Sequence, residues 1–498
     1  MKLASTAKYL SLSPWLAAAP IAVLAGAVAS TGDLKLIALF FGTLFGLVAA
    51  LFPIALFWLA ITISIVLAGT AQLYFPSLEL IRWAVVPISV LLVIHLLTHA
   101  FQYSHQYRNP HNTPPILWLL LAFMLVNLIT AFVNQQNLAS MATGLKGYFQ
   151  LWGVLFWMSL LNSNREIMEH WLPKVILLLA LIQVPFALHQ YLFIAPIRQN
   201  LEQGIIPLDI VTGTFGGSIN GGGANAALAV FLLVVWSCIL ALWKNHAIST
   251  PKTLLISAIL LMPVMINEAK ISIIYAVAIF IVVFRRGIVR DFSRFVGVSI
   301  MIIGVVAVMF VTYIRHAPEG KVETWAGLIT YTVEYNLMKD EQWDGKLSRG
   351  GCIKLWLQEH GSVVNTLLGY GVGVTRSESQ SGLTKRLGIK DPQSFGVGNL
   401  AAIAVLWETG VIGFGIVSAI FWAGFRSACQ LERRYVENAR QSAIFLGLQG
   451  AIVILYISLW HKNFFVFHIA YQAVLVLLFG YLIYWLRQTV PAGNQAYS

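Results

Sequence analysis

"FGVGNLAAIAVLWETGVIGF", residues 395–414, decides how the chain reads. It is apolar enough to cross a membrane, yet it opens on Asn399 and carries Glu408 in its middle. Ionisable groups inside a span are costly and mark function or helix pairing. Outward from this stretch, apolar runs of span length recur through all 498 residues, of which 58% are hydrophobic and 10% charged. A bilayer core needs roughly 20 apolar residues per helix, with every backbone group bonded inside its own segment. The expected fold class is therefore all-α, a polytopic membrane protein with about fourteen transmembrane helices. The runs lie at 13–30, 34–51, 54–72, 80–98, 115–133, 147–161, 171–192, 225–243, 253–266, 270–284, 295–314, 397–425, 441–460 and 464–486.

Charge sets the expected orientation. The clusters "RRGIVRDFSR" (285–294) and "RSACQLERRYVENAR" (426–440) mark cytoplasmic loops by the positive-inside rule. Threading fourteen spans between them puts both termini in the cytoplasm, with sixteen Lys or Arg on that side. Six lie in or beside short external segments (Lys35, Arg82, Lys146, Arg198, Lys270, Lys462), and ten in one long external loop. The net charge of +12 thus reflects topology, and no basic stripe with interleaved aromatics points to nucleic acid. Cys238, Cys352 and Cys429 form neither a plausible pair nor a metal set. No cleavable signal peptide is expected, because the first apolar run continues into a second. Four regions follow: N-terminal helices (1–204), a glycine-rich external segment with central helices (205–314), the long external loop (315–396) and C-terminal helices (397–498).

An external loop of about eighty residues calls for a function. Its first portion, "HAPEGKVETWAGLITYTVEYNLMKDEQWDGK", suits an interfacial helix. After it, a short helix is expected just past Arg349, then a tight glycine turn at "GYGVG", with basic residues at 349, 354, 376, 385, 386 and 390. The segment "IIPLDIVTGTFGGSINGGGANAALAVF" (205–231) packs six glycines between 213 and 223. It is either a flexible external loop or buried backbone whose amides approach an anion. Lys270, in "INEAKISIIY", is an embedded cation by one reading and a snorkelling residue paired with Glu268 by the other. Arg349 has a bland reading of its own, a solvated surface charge.

"SR" followed by "KLWLQ", then "NTLLGYGVG", then "NLAAIAVLWETGVIGF" resembles the O-antigen ligase and Wzy-type polymerase superfamily. The upstream "GTFGGSINGGGANAALAVF" is similar to the pattern preceding a span in the same family, and the match covers roughly residues 205–425. The resemblance implies a GT-C-like glycosyltransferase of the bacterial inner membrane. Such an enzyme polymerises undecaprenyl diphosphate-linked oligosaccharide repeat units into O-antigen or exopolysaccharide on the periplasmic face. Its partners would be that lipid-linked donor, membrane lipid and a chain-length regulator protein. Lys270, Arg349 and Asn399 are then the catalytic candidates. Lys270 stands where the family has an arginine, and Asn399 where the ligases have a histidine. An amide orients a hydroxyl but takes no proton at neutral pH. Arg376, Lys385, Arg386, Gly369, Gly371 and Asn220 are candidates for substrate binding, and Glu378, Asp391 and Glu408 for a base.

Fixed cations stabilise a diphosphate leaving group in a low-dielectric site, so neither metal nor cofactor is called for. Glu408 lies nine residues, about 13.5 Å of straight helix, below Asn399, which favours a packing role for it. Two alternatives stay open: a ligase that transfers glycan to lipid A core, and a transporter or flippase of a lipid-linked or anionic solute.

Overall fold

The computed structural model describes residues 23–32, 40, 52–102, 113–160, 165–199, 207–220, 222–267, 269–285, 292–316, 326–327, 330, 333–334, 338–340, 346–376, 382–389 and 391–488. Among these the chain is almost wholly helical, with no strand beyond an isolated Gly217–Gly223 bridge. The fold is an all-α membrane bundle, but the count of fourteen spans is overturned: eight described helices have the length and composition to cross. These are α1 (Pro53–Tyr74), α2 (Val85–Gln102, entered through a tight turn from Pro76), α3 (Pro115–Val133), α6 (Ile167–Arg198), α7 (Asn225–Lys244), α13 (Ala401–Arg434), α14 (Ala439–Ser458) and α15 (Ile469–Arg487). The expected run at 147–161 instead breaks between α4 (Leu138–Phe149) and α5 (Trp152–Leu160). The pair α8 (Thr250–Ile266) and α9 (Ser272–Phe284) stops at 17 and 13 residues. At 1.5 Å per residue these fall short of a core of about 30 Å. α10 (Phe292–His316) carries a further apolar stretch, Phe295–Met309 among the residues described with their side chains. The expected run at 34–51, most of 13–30 and most of the interfacial-helix segment lie outside the described residues.

Burial sorts the helices. Of the most apolar window, 89% is buried in α7 and in α15, against 28% in α6. A helix apolar on all sides is stable against either lipid or protein, and α7 and α15 are covered by protein. α14 supplies that cover for α7 through small residues: Gly447 packs on the Cys238 backbone, and Ser237 Oγ donates to the Gly447 carbonyl at 2.7 Å.

Side-chain bonds fix which helix ends lie together. Asn225, opening α7, donates to the Asn267 carbonyl just past α8 at 2.8 Å. At the opposite end Lys244 meets the Val283 carbonyl, and Arg487 bonds the Ser159 and Leu160 carbonyls at 3.0 and 2.8 Å. One end of the bundle thus carries the long loop, the glycine-rich segment and the turns after α3 and α14. The other carries Lys244, Arg285, Arg434 and Arg487.

Candidate functional site

The glycine-rich segment is built into the bundle. Residues Pro207–Gly217 are almost entirely buried, while Asn220 is exposed. Two glutamines inside α6 hold it. Gln190 Oε1 accepts the Thr212 and Gly213 amides at 2.8 and 2.7 Å, and Gln183 Oε1 accepts the Thr214 amide at 2.8 Å. Those amides are therefore consumed inside the protein rather than offered to an anion. Gly213 and Gly216 take left-handed backbone at φ 59° and 94° and turn Phe215 toward the loop end. There the Phe215 ring stacks on His468, whose Nε2 donates to the Phe215 carbonyl at 2.9 Å while Nδ1 accepts the Tyr471 amide. Burial, outweighing the bond to that carbonyl, lowers the His468 pKa to about 4, so the ring is neutral and both nitrogens are occupied.

The "GYGVG" turn descends into the same end. Gly369, Gly371 and Gly373 all have positive φ (74°, 109°, 80°), a region where side-chain-bearing residues are strained. The Tyr370 and Gly371 amides donate to the Trp407 and Glu408 carbonyls at 2.8 and 3.2 Å. α13 can offer them because its ladder is interrupted at Gly410 (φ 66°, ψ −169°). Glu408 itself is fully buried. Its Oε2 accepts the Tyr148 hydroxyl and the Gly373 amide, each at 2.8 Å, Oε1 accepts the Thr375 hydroxyl, and Arg376 Nη2 stands 4.0 Å away. On α4, Gly144 and Gly147 leave room for this: a Cβ at either would overlap Val372 or the Arg376 guanidinium.

Between these walls lies a cavity of about 740 Å³, within the range of small-molecule sites. Phe215, Tyr370, Arg376, Lys146, Arg82 and His468 line it, together with amides that include Gln72, Gln135 and Gln136. Its lining holds three cations and, among the described residues, no carboxylate. Each arginine is backed by an acid outside that lining: Arg82 by Glu79 at 2.8 Å and Arg376 by Glu408. Arg376 Nη2 also donates to the Gly144 carbonyl at 3.2 Å, and its Nε is buried without a partner among the described residues. Lys146 lies over the Trp83 ring. That ring favours the charged form, but burial, then Arg82 and Arg376, lower its pKa to about 8.

The predicted catalytic residues lie elsewhere at the same end. Arg349, the first residue of α11 (Arg349–Glu359), donates from Nε to the His461 carbonyl at 2.9 Å and from Nη2 to His461 Nε2 at 3.1 Å. A guanidinium only donates, so the His461 proton lies on Nδ1. Burial, then Arg349 and Lys462, keep that ring neutral by holding its pKa well below the usual value. Asn399 donates to the Leu347 carbonyl at 3.2 Å, tying the loop to the head of α13. Lys270 sits half-buried in the turn between α8 and α9. None of the three lines the cavity. Of the binding candidates, Arg376 lines it, Gly371 lies against Gln136 of the lining and Gly369 packs on the Glu408 backbone, whereas Lys385 and Arg386 are exposed, Arg386 pairing with Glu359 at 3.1 Å. Asp391 caps a short turn by accepting the Gln393 amide, and Glu378 lies outside the described residues.

Tyr148 and His461 carry no signal in the sequence, and Lys146 and Arg82 enter there only as charges that set topology. A usable signal was present for Lys146, a cation between two glycines with Tyr148 following, in "GLKGY". Among the described residues no three His, Cys, Asp or Glu come together as metal ligands. A scan of the chain against protein-family models finds no match, and a search of curated proteins finds none either.

Proposed function

We propose that this chain is a glycosyltransferase of the bacterial inner membrane that polymerises undecaprenyl diphosphate-linked repeat units. The observation that carries this reading is the cavity lining, which among the described residues holds three cations and no carboxylate, at the end of the bundle opposite the basic loops. By the positive-inside rule the basic end faces the cytoplasm, which leaves the cavity on the periplasmic side. In the reaction, an acceptor hydroxyl on a lipid-linked repeat attacks the anomeric carbon of the growing glycan. The bond from that carbon to the diphosphate breaks, its electron pair leaves with the phosphate oxygen, and the proton of the acceptor hydroxyl passes to water. Arg376, Lys146 and Arg82 replace Lys270 and Arg349 as the groups that stabilise this charge. One such preorganised contact is worth a few kcal/mol, roughly a hundred- to thousandfold in rate. Glu408 is not the base, because its oxygens already accept bonds from Tyr148, Gly373 and Thr375.

Replacing Arg376 with Ala should cut long-chain glycan in the native host by about a hundredfold at unchanged protein level. Lys385→Ala, on the exposed loop helix, should leave it normal. Wild-type glycan from Arg376→Ala would refute the assignment.

A further inference from the structure

We infer that Glu408 is the positioning residue for Arg376 and for the turn that carries it, an inference resting on the reading of the cavity as a diphosphate site. Four contacts converge on one buried side chain. Tyr148 holds it from α4, the Gly373 amide and Thr375 hydroxyl approach from the turn, and Arg376 stands 4.0 Å from Oε2. The Glu408 carbonyl takes the Gly371 amide as well, so residue 408 meets the turn with backbone and side chain together. A neutral packing residue would satisfy none of the three donors, and a buried donor left unmade is costly. The carboxylate also fixes which way the guanidinium faces. With Nη2 drawn toward Glu408 and the Gly144 carbonyl, Nη1 lies against Gly147 and the side chain is held where it lines the cavity. Glu408 touches no ligand on this account; it acts through Arg376.

The test uses the full chain in detergent micelles, with inorganic pyrophosphate as the probe. Glu408→Gln keeps size and polarity but loses the charge and one acceptor oxygen. Calorimetric titration should show about tenfold weaker binding for Glu408→Gln. The double variant with Arg376→Ala should bind no more weakly than Arg376→Ala alone, because both changes remove one function. Equal affinity of Glu408→Gln and wild type, or additive losses in the double variant, would overturn the inference while leaving the anion site standing. Hydrogen exchange supplies a readout independent of any ligand. Amides of residues 370–376 should exchange faster in Glu408→Gln while α13 below Gly413 stays protected, and an unchanged pattern would overturn the positioning role. If the wild-type protein fails to bind pyrophosphate but the turn still loosens, the diphosphate reading falls and the structural coupling stands.

Discussion

At the scale of single residues, the cavity's most adjustable charge is Lys146. Its folded pKa of about 8 lies below the free-lysine value of 10.5, so between the two the folded chain binds fewer protons than the unfolded one. Folding stability therefore rises with pH across that window, while affinity for an anion falls because the ammonium is lost. A soluble diphosphate diester, whose own charge is constant there, should bind progressively more weakly as pH passes 8. The Lys146→Arg variant, charged throughout, should show a flat profile, and matching profiles would remove Lys146 from the site. Little of this was legible beforehand. Arg376 was picked out because it follows a glycine turn in a charged loop. Lys146 was counted only for topology, since its neighbours Arg82 and Arg376 are 64 and 230 residues away in the chain. The resemblance puts Asn399 where a ligase would carry a histidine, but the group that meets Arg349 is His461, in the turn just past α14.

At the scale of elements, the informative failure is the straight span. Treating 397–425 as an unbroken helix put Glu408 about 13.5 Å below the loop, too deep to take part. The structure resolves the distance differently: α13 breaks at Gly410 and the turn at 369–374 comes down to meet the break. Local pattern indicated an apolar helix and a glycine turn correctly, but the docking of one on the other is a long-range pairing with no periodic signature. Gly410 is the joint. Its φ of 66° suits glycine, and a Cβ there would collide with the Leu367 carbonyl in α12 (Val363–Leu368). Gly410→Ala should cost roughly 1–3 kcal/mol in strain, seen as a lower melting temperature in detergent. Gly415→Ala in the same helix, where a Cβ meets nothing within 4 Å, should be nearly silent. Equal shifts for the two would mean that the break is not specified by Gly410. The glycine-rich segment teaches the complementary lesson: composition showed that it could not be a packed helix, but not that glutamines from α6 would bury it.

At the scale of the whole molecule, membrane class was legible because it is an additive property of composition. The number of spans was not, since α5, α8 and α9 are apolar yet short, and hydropathy does not register where a helix stops. The two ends are testable by labelling. In a background lacking the native cysteines, Val363→Cys in α12 and Val436→Cys after α13, both strongly exposed, should react with impermeant reagent from opposite sides of the membrane. Reaction from one side would dismantle both the chain trace and the assignment of the cavity to the periplasm. The bare cationic lining has a consequence on the exit side as well. In the proposed reaction a diphosphate freed from its sugar carries more charge than the ester that entered, and among the described residues nothing acidic lines the cavity to repel it. On that proposal, the grip that eases bond cleavage also slows departure, and turnover is expected to be paced by release of spent lipid carrier rather than by sugar transfer itself.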